Sequence, residues 1–201
     1  MTPNTPRIPK GCLGGLIAVI MLPTLVILAI FCPQALRIDT IWYREYVANR
    51  IQALAQDVKT NPQDVDSLDE LIRTAQSTFS FERDYAIGTI GKLGDKAEAA
   101  VPMIIDGLSS SDSGTRWAAT RALSDMGKTA APAKAELIRV LNDYPTQSAG
   151  TTAAEALGNI GDSSPEVLYA LRVAAKNSDD SSTVYEAHKA YEQLTGHPLD
   201  D

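Results

Sequence analysis

No cysteine stands beyond position 32, and the 201-residue chain holds only two histidines, His188 and His197. A disulfide framework and a cysteine-based zinc site are therefore closed to everything after that point. With no HExxH and no later cysteine, neither zincin chemistry nor a Cys–His pair is available. Aromatic residues make up only 6% of the chain. Basic charge is short as well. Arg7 and Lys10 are the only charged residues up to position 32, so 16 cations face 25 acids beyond it, a net of −9. A nucleic-acid binder needs a basic stripe to displace counterions from phosphates, and an acidic domain excludes that partner class.

Phosphate loops are missing too, although "IGTIGKLGD" (Ile87 to Asp95) and "MGKTA" (Met126 to Ala130) invite that reading. A dinucleotide loop needs G-x-G-x-x-G after a strand, and a Walker loop needs glycine where Ala122 stands. The serines of "SSSDSG" (Ser109 to Gly114) and "NSDDSS" (Asn177 to Ser182) read as turns. Asp69 and Glu70 are adjacent and diverge on a helix. His188 reads as a solvated or capping residue of the final helix, and His197 belongs to the tail. No catalytic residue, metal ligand or cofactor is expected, and the chain does not read as an enzyme.

One long uncharged run is present. "CLGGLIAVIMLPTLVILAIFC", residues 12–32, has 21 residues. As a helix it would extend about 31 Å, close to the ~30 Å hydrocarbon core. A cleavable signal is the rival, but its apolar core is usually about 7–15 residues, and Phe31 before Cys32 disfavours lipoprotein processing. The expectation is one uncleaved transmembrane helix after a cationic tail at 1–11, in a single-pass membrane protein. Arg37, Arg44 and Arg50 follow the run and weaken the charge asymmetry, yet the tail favours an extracytoplasmic C-terminal domain.

Beyond it the sequence repeats. "DYAIGTIGKLGD", "WAATRALSDMGK", "TTAAEALGNIGD" and "VYEAHKAYEQLTG" align on Ala86, Ala119, Ala153 and Ala187, at offsets of 33, 34 and 34. Thr89, Ala122, Ala156 and Ala190 follow at i+3, Ile90, Leu123, Leu157 and Tyr191 at i+4, and Leu93, Met126, Ile160 and Leu194 at i+7. That is one face of a helix. Gly94, Gly127, Gly161 and Gly196 end the units, where a left-handed residue closes a helix without a Cβ clash. Gly88 and Gly91 fall inside the first of these helices. A second helix follows each of the first three glycines, with Ile104, Leu137 and Leu171 ten residues on and Leu108, Leu141 and Ala175 fourteen on. Pro102, Pro132 and Pro165 fall near its start.

These motifs, "AAEALGNIGD" and "LGDKAEAAVPMIIDGL" above all, resemble bacterial HEAT-like repeats of the type named after phycobilisome lyases. The resemblance covers about residues 83–196. It implies an α-solenoid that acts as an interaction scaffold, and in some members a regulatory or lyase subunit. The family often carries an acidic turn residue, then Val-Arg, before its alanines. Asp112 and Arg116 partly fit; Phe79 stands where an acid would precede Arg83, and Gly150 stands where the third arginine would.

The expected class is all-α: an α-solenoid of HEAT-like hairpins over 81–196, preceded by one transmembrane helix and followed by a tail at 197–201. Residues 33–80 read as a juxtamembrane helix with Val47, Ile51, Leu54, Ala55 and Val58 on one face, a break at Asn61-Pro62, and a second helix with Leu68, Leu71 and Ile72. Together they would cap the exposed solenoid end. Trp42, Tyr43 and Tyr46 fit either the membrane interface or packing within that cap. The second helices would line the concave, acting face, with Met103, Glu136 and Ala170, then Asp106, Arg139 and Val173, off the core columns. Asp106, Glu136, Arg139, Tyr169 and Arg172 are the candidate partner-binding residues, an Arg–Tyr composition suited to a hot spot. The function expected is a membrane-anchored scaffold for a protein partner. The alternatives are a lyase-type or regulatory subunit handling a small ligand, and a constitutive structural part of an envelope assembly.

Overall fold

The computed structural model describes residues 35–61 and 64–199. Residues 12–32, the expected span, lie outside them. Among the described residues no helix is long and apolar enough to cross a membrane, and every regular element is helical. The chain divides into two units, Met1–Tyr46 and Val47–Asp201.

In the first unit the described part is the start of helix α1 (Ala35–Thr60). Trp42, Tyr43 and Tyr46 are 72%, 47% and 55% exposed. In the second unit α1 buries Val47, Ile51, Ala55 and Val58 at helical spacing. Helix α2 (Val65–Ala75) is capped by Asp64, whose carboxylate accepts from the Ser67 N–H at 3.2 Å, and it buries Leu71 and Ala75. An Arg50–Glu70 ion pair ties α1 to α2. The Gln52 amide donates to the Tyr85 hydroxyl at 3.0 Å, tying α1 to α3 (Ser80–Gly91).

Three further first helices follow: α5 (Ser113–Met126), α7 (Ser148–Ile160) and α9 (Ser181–Thr195). They stack in series, α3 on α5, α5 on α7 and α7 on α9. The alanine column Ala86, Ala119, Ala153 and Ala187 is wholly buried at their contacts, with Ile90, Leu123 and Leu157 beside it. Small residues let the backbones approach. A Cβ on Gly91 would lie 2.5 Å from the Ala122 Cα, and one on Gly158 would lie 3.0 Å from the Ala190 Cβ. Gly91, Ser124 and Gly158 thus face the next first helix in the stack. In α9 the same column holds Glu192, and the column of Ile87, Thr120 and Ala154 holds His188. Glu192 is exposed and His188 half-buried, so the last first helix turns polar side chains outward.

The four glycines named as unit ends are the four described residues with positive φ, from 55° to 79°. Gly161 and Gly196 are left-handed caps. Gly127 has φ 55° and ψ −123°, a region more exclusive to glycine. Helix α3 departs from the pattern by closing at Gly91, before Gly94.

The second helices are α4 (Val101–Gly107), α6 (Lys134–Asp143) and α8 (Pro165–Asn177). In the first two units a 3₁₀ segment, Gly94–Ala100 or Gly127–Ala133, intervenes. Its alanines Ala97, Ala100, Ala130 and Ala133 are fully buried, small enough for the tight turns to pass under the stack. Pro132 lies inside the second segment, and Pro102 and Pro165 open α4 and α8. The third unit runs from Gly161 to α8 without a 3₁₀ segment. Its helix begins earlier, and Ala170, expected off the core, is buried at 3% exposure.

Candidate interaction surface

The five candidate residues sit on α4, α6 and α8 but are not equally free. The Arg139 Nε donates to Glu136 Oε2 at 2.7 Å, Nη1 pairs with Asp143 Oδ2 at 3.2 Å, and Nη2 donates to the Ser109 Oγ at 2.9 Å. The i,i+3 and i,i+4 spacings place both acids beside it on one helix face. The Arg172 Nη2 donates to the Tyr191 hydroxyl at 3.0 Å, with the guanidinium over that ring. Glu136, Arg139 and Arg172 are therefore committed to bonds within the chain. Tyr169, 70% exposed, and Asp106, also exposed, remain available to a partner. The structure bonds Glu136 to Arg139 and describes no bond joining either to Tyr169 or Arg172.

Two features of the charge pattern go beyond what the sequence showed. Lys134, first in α6, reaches Asp162 at 2.8 Å and Glu166 at 3.1 Å, tying one unit to the next. Hydrogen bonding to Asp162 first, then Glu166, raises the Lys134 pKa, and the same contacts lower both acids. Asp112 and Asp180, the N-caps of α5 and α9, are also lowered, Asp112 chiefly by the Gly114 N–H and Asp180 by the Thr183 hydroxyl. Carboxylates depressed in the folded state lend stability above their unfolded pKa, and this fades as pH falls through the folded value. The raised Lys134 lends stability that is lost only as pH climbs past the lysine range. Thermal unfolding followed against pH is thus expected to show a plateau through neutrality and a decline below the ordinary aspartate value of 3.8. Asp180→Asn, which keeps an acceptor but cannot ionise, is expected to flatten the acid decline.

The second feature is a ladder between first helices. The fourth residue after one N-cap meets the N-cap of the next first helix. Arg83 Nη2 donates to Asp112 Oδ2 at 2.8 Å, Arg116 Nη2 to Gln147 Oε1 at 3.0 Å, and Thr151 Oγ1 to Asp180 Oδ2 at 3.3 Å. The ladder is continuous although two of its arginines or acids are replaced. Gly150, which stands in the arginine column, is not the third rung, because α7 opens one residue later relative to its alanine. A side chain there would also run into the Tyr144 carbonyl.

Among the described residues Arg116 is the most deeply set cation, 6% exposed. Its Nη1 donates to the Ser110 and Ser111 carbonyls at 2.8 and 3.0 Å, and its guanidinium lies 4.3 Å from the Tyr144 ring centroid. Its Nε finds no partner. Beside it an open groove of about 670 Å³ is lined by Ser113, Arg116, Trp117, Gln147 and Ser148 among others. Trp117 is 48% exposed at the groove. Among the described residues no cluster of three or more His, Cys, Asp or Glu is placed to hold a metal.

Helical hairpins stacked in register on one core make this an all-α helical-repeat protein. Residues 68–147 match the family model described as HEAT repeats, starting within α2 and ending at the residue before α7. No curated protein matches the chain. A crystal structure of an engineered protein from the Northeast Structural Genomics Consortium covers 73% of this chain and 72% of its own, at 23% identity and TM-score 0.53. A second engineered protein from that consortium covers 77% of this chain and 93% of its own, at 18% identity and TM-score 0.49. The first of these likenesses is one of fold.

Proposed function

We propose that the chain is a HEAT-repeat scaffold that binds a protein partner, held at a membrane by residues 12–32 with its repeats on the extracytoplasmic side. The observation that carries the scaffold reading is the stack itself. Its first helices are joined rung by rung across each interface, and it presents large exposed aromatics such as Tyr169 on a rigid frame. Recognition on such a surface loses little ordering entropy, because the helices that carry the side chains are already packed in place. Anchoring would add effective concentration by confining the search to a surface. What supports it is the uncharged run at 12–32 and the exposed Trp42 and Tyr46 beyond it, residues favoured at a membrane interface.

A photo-crosslinking side chain at Tyr169 is expected to capture one partner at native expression, while the same group at exposed Lys128 captures none. The partner's compartment then reports the topology. Equal capture from both sites, or from neither, would remove the second-helix face from consideration. Retention of the chain in membranes after alkaline carbonate washing tests the anchor separately.

A further inference from the structure

The ladder between first helices has one rung unlike the others. The rungs from Arg83 and Thr151 both end on carboxylates, Asp112 and Asp180. The middle rung, from Arg116, ends on the neutral amide of Gln147. Yet Arg116 is the buried one, more than nine-tenths removed from solvent. None of the described ion pairs includes it: its partners are two carbonyls, an amide oxygen and an aromatic face. A guanidinium has five donors. Three are used here, and the Nε is among those left without a partner. Asp112, which stands one turn earlier, is already held by Arg83, Gly114 and Thr115. Asp112 attracts Arg116 through space but makes no hydrogen bond to it. This buried cation therefore has no directly bonded counter-charge, and a carboxylate in bidentate contact is the group that best supplies one.

The place for that carboxylate is open. Arg116 and Gln147 form part of the lining of the 670 Å³ groove, and the half-exposed Trp117 stands on the same lining. Helix α7 begins at this groove with no side-chain cap, and Ser148 and Ala149 of its first turn stand on the lining. A positive helix end, a buried arginine short of an anion and an indole face make up one recognition element.

We propose that the groove between α5 and α7 binds an acidic side chain of the protein partner, followed in its sequence by an apolar residue. The carboxylate displaces the Gln147 amide and takes the donors that Arg116 has left. The apolar neighbour lies against Trp117. This proposal rests on the scaffold reading and names the chemistry of one contact the partner makes.

The test uses the full-length chain and two capped dipeptides, N-acetyl-Asp-Phe-amide and its Asn-Phe analogue. The expected result is a saturable shift of the Arg116 Nε–H resonance and the Trp117 indole resonance with the aspartyl peptide and not with the asparaginyl one. Trp117→Ala is expected to weaken binding by about tenfold, the loss of one buried aromatic contact. Gln147→Asp supplies the missing carboxylate from within the chain and is expected to abolish binding while raising the melting temperature. Equal binding of both peptides, an unmoved Arg116 resonance at saturation, or undiminished binding by Gln147→Asp would each overturn the proposal. A partner captured at Tyr169 whose complex survives Gln147→Asp would sink the groove and keep the scaffold. Aspartyl-peptide binding without any captured partner would do the reverse.

Discussion

Gly91→Ala is expected to destabilise the fold by about 2 kcal/mol, while Gly88→Ala, one turn earlier on the same helix, is expected to stabilise it by about 0.5–1 kcal/mol. Both substitutions remove a glycine from helix α3, and both gain the same backbone term, since alanine loses less freedom than glycine on becoming helical. What separates them is the neighbour. The new methyl at position 91 would lie 2.5 Å from the Ala122 Cα, 2.8 Å from its Cβ and 2.9 Å from its carbonyl oxygen. None of these atoms can swing away, so α3 and α5 must part. The strain then spreads to Ala86, Ile90, Ala119 and Leu123, all buried at that contact. At position 88 the new methyl meets nothing within 4 Å. Urea unfolding of the two variants reads the difference directly. If both were stabilising, the close approach of α3 to α5 would be refuted.

Arg116→Ala is expected to lose about 3 kcal/mol, the scale for removing a charged donor from several buried partners. The truncation leaves the Ser110 and Ser111 carbonyls and the Gln147 amide oxygen without their donor, and it opens space beside Tyr144. Arg116→Lys is expected to recover less than half of this. One ammonium cannot reach three separate oxygens in the planar arrangement the guanidinium spans, nor lie flat on the ring. Arg139→Ala supplies the contrast. Its ion pairs to Glu136 and Asp143 are about half exposed, and its loss is expected to stay below about 1 kcal/mol. Chemical denaturation of all three variants, with the slope held constant, is the measurement. Equal losses at Arg116 and Arg139 would mean that depth in the fold does not set the effect.

The regular part of this fold was legible because repetition averages out local ambiguity. Four aligned segments agreed on the alanine and leucine columns, and the positive φ values at Gly94, Gly127, Gly161 and Gly196 fall at the expected unit ends. The 3₁₀ segments were not legible. "GDKAEAA" and "GKTAAPA" are alanine-rich with no apolar periodicity, so nothing in them distinguishes a tight turn from the first turn of the next helix. The ladder was only half legible, because its third rung depends on where α7 begins, and helix starts shift by a residue without altering the core columns. The candidate surface fared worst. Whether an arginine is free depends on which acids share its helix face and which loop passes nearby. Arg139 is claimed by both Asp143 and the distant Ser109. Reading exposure from column position alone also misplaced Ala170, a small side chain next to the core residue Leu171 in a helix that begins earlier than its counterparts.

The polar outer face of α9 has a consequence for assembly between copies of the chain. A repeat stack presents, at its last first helix, the surface on which another such helix would dock. Were that surface small and apolar, each molecule could accept the leading helices of the next, and polymers would grow end to end. Glu192, standing where Gly91, Ser124 and Gly158 admit a neighbouring backbone, would have to be desolvated without a counter-charge for this to happen. His188 adds bulk in the column of Ile87, Thr120 and Ala154. Two side chains thus disfavour the docking of a second copy's helix on this face of α9. Replacing them with His188→Ala and Glu192→Gly would convert the end of the stack into an adhesive one.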